Sequence, residues 1–147
     1  SFPIPHDAAE PVGFNIFAAD RKITVATDIG HMTGELLKKM EKSDILLLES
    51  NHDLEMLKCG PYPWPLKQRI MGRTGHLSNE ITGKTIAYLA EQGMERFLLG
   101  HLSQENNYPA LAYNTVCGSL ARKNIKPGTD VFLDIAPRGG VSKVMEV

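Results

Sequence analysis

Five histidines stand in the chain: His6, His31, His52, His76 and His101. Imidazole ligates metals and moves protons near neutral pH. Three occupy settings that invite chemistry. His6 follows an extended start, His76 lies in Gly75-His76-Leu77-Ser78-Asn79, and His101 lies in Gly100-His101-Leu102-Ser103. Two carboxylates are placed similarly: Asp28 follows Val25-Ala26-Thr27, and Glu49 follows the run Ile45-Leu46-Leu47-Leu48. Imidazoles and carboxylates together are the groups that hold divalent cations and run general acid–base catalysis. Ligands collect beyond strand ends in sheets flanked by helices, so His6, Asp28, Glu49 and His101 could converge on one site. Polar residues also mark where burial stops, and spacing alone leaves both readings open. The repeated Gly-His-Leu-Ser puts a hydroxyl two residues after each imidazole. Ser78, Asn79 and Ser103 are therefore candidate substrate contacts, with a helix cap or turn as the alternative for the serines.

The elements that must position these groups follow from periodicity. Residues 13–17 alternate apolar and polar, Ala19-Asp20-Arg21 turns the chain, and residues 22–27 return, which predicts a hairpin. Thr33 caps a short helix with Leu36, Leu37 and Met40 inside. Residues 44–49 predict a buried strand. Pro61, Pro63 and Pro65 predict a loop over 59–65, with a short helix over 66–71. Ser78-Asn79 caps a helix that Gly93 stops, and 96–100 is a strand. Pro109 opens a helix to about Lys123, carrying Ala112, Val116 and Leu120 on one face. Residues 131–135 and 143–146 predict two closing strands. Strands alternating with helices after a hairpin indicate an α/β sandwich, and so few strands leave a sheet with open edges.

Composition bounds the function. A chain of 147 residues, 42% hydrophobic, supports one domain with a core and not two ordinary ones. With 16 Lys+Arg against 17 Asp+Glu, globally basic wrapping of nucleic acid is disfavoured, though a local groove is not. Lys67, Arg69 and Arg73 could contact a nucleic-acid backbone, and Tyr62 and Trp64 could stack on bases; a solvated face and simple packing are the alternatives. Asn106 and Asn107 could bind phosphate or make a turn, and the turn is the preferred reading. The aliphatic run at 45–48 is far shorter than the roughly 20 residues of a membrane span, and no signal peptide is visible. Cys59 and Cys117 have no zinc-finger spacing and read as reduced thiols of a cytoplasmic protein. Ser1 in place of Met implies processing or truncation.

Six segments occur in an order that resembles one family: Pro5-His6-Asp7-Ala8-Ala9-Glu10-Pro11, Thr27-Asp28-Ile29-Gly30, Glu49-Ser50-Asn51-His52-Asp53, Gly60-Pro61-Tyr62-Pro63, Gly75-His76-Leu77-Ser78-Asn79 and His101-Leu102-Ser103. The chain resembles the C-terminal part of a YycJ/WalJ-type metallo-β-lactamase-fold hydrolase, from His6 to the last strand. The resemblance implies an αββα sandwich, with residues 1–147 forming the C-terminal part of a single domain. It implies that His6 and His101 ligate metal and that Asp28 bridges two metals. Likeness to tRNase Z enzymes implies that Glu49 pairs with His76 for proton transfer, although Leu48 and Leu77 depart from the motifs there. The family's H-x-H-x-D-H is absent from this chain. The expectation is that the first half of the sandwich, with most ligands of the first metal, precedes the residue matching His6.

The implied chemistry is phosphodiester hydrolysis. Two divalent ions, zinc or manganese, can hold a bridging hydroxide and neutralise charge on phosphate oxygens. His76, kept protonated by Glu49, could protonate the leaving 3′ oxygen. The resulting expectation is a metal-dependent 5′-to-3′ DNA exonuclease, with DNA favoured over RNA, no membrane partner, and room for a homo-oligomer. One alternative is a non-catalytic half-domain that folds with a partner or with the missing half. Another is a hydrolase of RNA or of a different ester, since this fold hosts several chemistries.

Overall fold

The computed structural model describes residues 1–145. The chain forms an α/β fold with a mixed six-stranded sheet and five helices. In chain order these are β1 (Phe2–Pro3), β2 (Val12–Ala18), β3 (Arg21–Ala26), α1 (Gly34–Met40), β4 (Ile45–Glu49), α2 (Leu54–Cys59), α3 (Trp64–Met71), α4 (Asn79–Glu91), β5 (Arg96–Gly100), α5 (Pro109–Ala121) and β6 (Phe132–Ile135). The β2–β3 hairpin turns through Ala19 and Asp20 at φ 45° and 63°, the two left-handed positions of a twist-matched two-residue turn.

The strands lie in sequence order, antiparallel from β1 to β3 and parallel from β3 to β6. Parallel crossovers are almost always right-handed, so a sheet built in sequence order sends every crossover helix to the same face. Burial agrees. Leu46, Leu48, Phe97, Leu99 and Leu133 form one core with Leu36 and Met40 of α1, Ile86 and Leu89 of α4, and Val116 and Leu120 of α5. The neighbouring positions point the other way, because side chains alternate along a strand. There Phe14, Val25, Leu47 and Leu98 lie in register across four strands, and Ile16, Ile23 and Ile45 run parallel to them. Phe14 and Ile16 are 49% and 51% exposed. The sheet therefore has one apolar face covered by helices and a second apolar face that is open over β2, with Ile45 and Leu98 buried farther along it.

Most expected elements form, with four differences. The short helix α2 was not expected; Asp53 caps it by accepting from the Glu55 and Met56 amides. The proline loop shortens to residues 60–63, because α3 starts at Trp64 and takes Pro65 into its first turn, where a missing N–H costs nothing. The start of the chain pairs with β2, as Phe2 opposite Gly13. Of the strand expected over 143–146, residues 143–145 are irregular and Glu146 lies outside the described residues. Both cysteines are free, Cys59 exposed and Cys117 half-buried. Among the described residues no helix is long and apolar enough to cross a membrane.

Candidate metal and proton-transfer centre

The C-terminal ends of β3, β4 and β5 lie side by side, through Ala26 opposite Leu48 and Glu49 opposite Gly100. That register brings Asp28, Glu49 and His101 together just beyond the sheet. Asp28 and His101 take left-handed backbone at φ 60° and 54°. A non-glycine residue there is strained by about 1 kcal/mol or more, and such strain is kept where the surroundings over-determine the geometry. Two loops complete the group. Gly75 packs where any Cβ would collide with the carbonyls of Arg69 and Ile70, which ties the His76 loop to the end of α3. Gly30 meets Arg73 and Thr74 in the same way.

Glu49 is the hub. Its side chain is fully buried. Oε1 accepts from His76 Nδ1 and from His101 Nδ1, each at 2.7 Å. Oε2 accepts from the amides of Ile29 at 2.8 Å and Leu77 at 3.2 Å. A carboxylate can only accept, so both imidazoles carry their proton on Nδ1 towards it. Burial by itself would raise the Glu49 carboxyl, but the His101 and His76 hydrogen bonds outweigh it and hold the group below its usual range. The same bond raises His101 above the ordinary histidine value, against the pull of burial.

Around this hub the expected metal ligands meet. Asp28 Oδ1 lies 3.7 Å from His6 Nε2 and 3.7 Å from His101 Nε2. His6 Nδ1 donates to the Gly75 carbonyl at 3.0 Å, which leaves Nε2 facing the carboxylates of Asp7 and Asp28. Orientation of one ring nitrogen by a carbonyl or carboxylate is the usual support of a ligating histidine. Two ligand atoms on one zinc ion sit about 3.3 Å apart at normal bond lengths, so these separations suit a shared cation. The rings of His6 and His76 lie 5.0 Å apart, and those of His76 and His101 lie 5.2 Å apart.

Asp28, Glu49, His76 and His101 also form a set whose ligand atoms all lie within 4.8 Å. Within that set Glu49 is the poorest donor. Glu49 is sealed from solvent, and its oxygens already receive four N–H groups. The sequence missed that Glu49 orients His101 as well as His76. The signal lies in strand register, which spacing along the chain does not carry.

The three candidate substrate contacts are placed differently. Ser78 is 2% exposed and caps α4, accepting from the Ile81 amide. Asn79 is fully buried and bonded to Ser50 and Asn107. Neither has surface to offer a substrate. Both lock the loop that carries His76. Ser103 is half-buried, and its hydroxyl accepts from the Asn106 amide, as in a turn. Asn107 also donates to the carbonyls of Ser50 and Asn51, while Asn51 donates to that of His101. These amides hold the strand ends together. Of the basic residues, Lys67 is buried and closes the end of α2 through the Lys58 and Gly60 carbonyls. Arg69 pairs with Asp7, and Arg73 contacts His31. Trp64 stays 59% exposed.

His52 sits behind the centre, 1% exposed, with Nδ1 buried and unpartnered. Burial pushes its pKa from 6.5 down to about 4, with His76 adding to the fall and Glu49 and Asp53 opposing it. Below pH 6.5 the unfolded chain takes up a proton that the folded chain refuses, so stability present above 6.5 is lost as pH falls towards 4. The loss from this group is on the order of 3 kcal/mol. Urea denaturation across that range is expected to show it, and His52→Gln is expected to flatten the slope. Parallel slopes for the two proteins would contradict the assignment.

No protein-family model matches the chain. It is 37% identical over 130 residues, 88% of its length, to proteins named exodeoxyribonuclease WalJ in two strains of Streptococcus pneumoniae. It is 35% identical over 128 residues to exodeoxyribonuclease YycJ of Bacillus anthracis. The chain spans about half the length of these relatives, 48% in each case. In sequence the chain is thus a relative of the WalJ/YycJ exodeoxyribonucleases, over most of its own length and about half of theirs.

Proposed function

We propose that the chain carries the metal-binding and proton-transfer part of a metal-dependent 5′-to-3′ DNA exonuclease with a metallo-β-lactamase-like αββα fold. The observation that carries the reading is the meeting of His6 Nε2, Asp28 Oδ1 and His101 Nε2, with Glu49 fixing the ring of His101. The names of the relatives favour DNA as substrate. Zinc or manganese held by His6, Asp28 and His101 would supply Lewis-acid stabilisation of charge on phosphate oxygens and a nucleophile at neutral pH. Asp28, as a carboxylate, would offset the positive charge held there. Glu49 fixes the tautomer of both histidines, so His76 exchanges protons through Nε2 and serves as general acid to the departing 3′ oxygen. The test uses the complete protein with Mn²⁺ and an end-labelled DNA strand. The wild type is expected to shorten the strand from its 5′ end. His76→Ala is expected to lose about 10²–10⁴-fold in rate while keeping its metal. Intact DNA with fully loaded wild type would overturn the reading.

A half-domain reading is favoured by the uncovered sheet face. Apolar patches beyond a few hundred Å² are uncommon on lone soluble proteins. Strands, not solvent, suit a face that carries Phe14, Val25 and Leu47 in register, with Ile16 and Ile23 paired beside them. The occupant is a second sheet from the other half of the relatives' length. An apolar dye is expected to bind the isolated chain, less so after Phe14→Ser with Ile16→Ser, and not at all when that other half is joined. Undiminished dye binding by the joined protein would contradict the assignment.

A further inference from the structure

A cleft of about 800 Å³ opens beside His101. His101 and Leu102, Tyr108, and Ile135, Pro137 and Arg138 supply its walls, from the ends of β5, α5 and β6. The volume lies within the range of small-molecule sites. Its chemistry is divided. Leu102, Ile135 and Pro137 are apolar, and the Tyr108 ring is 52% exposed. Arg138 is the cleft's fixed charge, and its guanidinium is tethered by donating to the Leu102 carbonyl. A guanidinium has five N–H donors in one plane, so this tether leaves most of them to face an anion. That tether holds Arg138 against the residue that follows His101. An anion bound by Arg138 would therefore lie next to the metal-type centre, with an apolar and aromatic surface beyond it.

We propose that this cleft seats the terminal nucleotide of the DNA strand, with Arg138 on a phosphate and Tyr108 against the base. The assignment rests on the nuclease reading above and adds to it a place for the strand end. A phosphate needs a planar cationic donor, and a base needs a flat apolar surface; the cleft offers one of each. Its lining includes His101, so an occupant would lie against the candidate metal centre.

Calorimetric titration of the complete protein with dTMP, thymidine and inorganic phosphate, in chelator, reads the cleft without metal. dTMP is expected to bind at least tenfold more tightly than either fragment. Tyr108→Ala is expected to weaken dTMP about tenfold and leave phosphate unchanged, with Tyr108→Phe restoring the wild-type value. Arg138→Gln is expected to weaken dTMP and phosphate together and leave thymidine unchanged. The proposal fails if dTMP binds no better than inorganic phosphate, or if Tyr108→Ala leaves dTMP unaffected. DNA cleavage by the complete protein without dTMP selectivity would refute the cleft alone. dTMP selectivity with DNA left intact would support the cleft and refute the nuclease reading.

Discussion

Replacing Glu49 by Gln is expected to cost the 147-residue chain about 3 kcal/mol or more. The reason is a donor–acceptor count. Glu49 receives four N–H groups: His76 and His101 on one oxygen, Ile29 and Leu77 on the other. A glutamine keeps one oxygen and turns the other position into a donor. If its amide nitrogen faces the backbone, two amides lose their acceptor. If it faces the imidazoles, both must change tautomer or move. Each buried donor left unsatisfied costs about 1–3 kcal/mol. Native stability is only about 5–15 kcal/mol, so urea denaturation will register the loss clearly. Nitrogen NMR of the imidazoles reads the second consequence, loss of the Nδ1–H form at His76 and His101. A Glu49→Gln chain with wild-type stability and unchanged tautomers would remove Glu49 from the hub.

Asp28→Asn and His101→Ala test the ligand set. The Asp28 side chain is 38% exposed and that of His101 is 41% exposed, so neither supports the core. Folding is expected to survive both changes. Metal affinity is not, because removal of even an outer-sphere partner of a metal ligand costs about 10–100-fold. A direct ligand is expected to cost at least about 100-fold in the Zn²⁺ or Mn²⁺ affinity read by calorimetry. DNA hydrolysis by the complete protein is expected to fall with it. Asparagine tests charge at constant size, since it keeps one oxygen and loses the anion. Retention of wild-type affinity by either variant would contradict the assignment.

Much of this arrangement is legible in the sequence, and particular residues show where legibility stops. The aliphatic run before Glu49, the caps at Thr33 and Ser78, and Pro109 in the first turn of α5 announce their elements, because burial and helix starts are local properties. The strand ends announce candidate ligands for the same reason. Helix α2 escapes because six residues with only Leu57 buried show no period. The strand expected over residues 143–146 does not form over its described residues 143–145, because apolar residues without a neighbouring strand do not make a ladder; Val144 is 93% exposed. Sharing of Glu49 between His76 and His101 depends on Glu49 lying opposite Gly100, a relation set by pairing of distant segments. Ser78 and Asn79 show the converse case. Their polarity invites a substrate, and only three-dimensional burial assigns them to a cap and an amide network.

The central claim is that His6, Asp28 and His101 hold a divalent metal. Anomalous diffraction from crystals of the protein grown with Zn²⁺ or Mn²⁺ tests it most directly. The account predicts an ion ligated by His6 Nε2, Asp28 and His101 Nε2, with Glu49 still bonded to His76 and His101 and outside the coordination sphere. An ion bound elsewhere, or a centre that stays empty at millimolar metal, would contradict it.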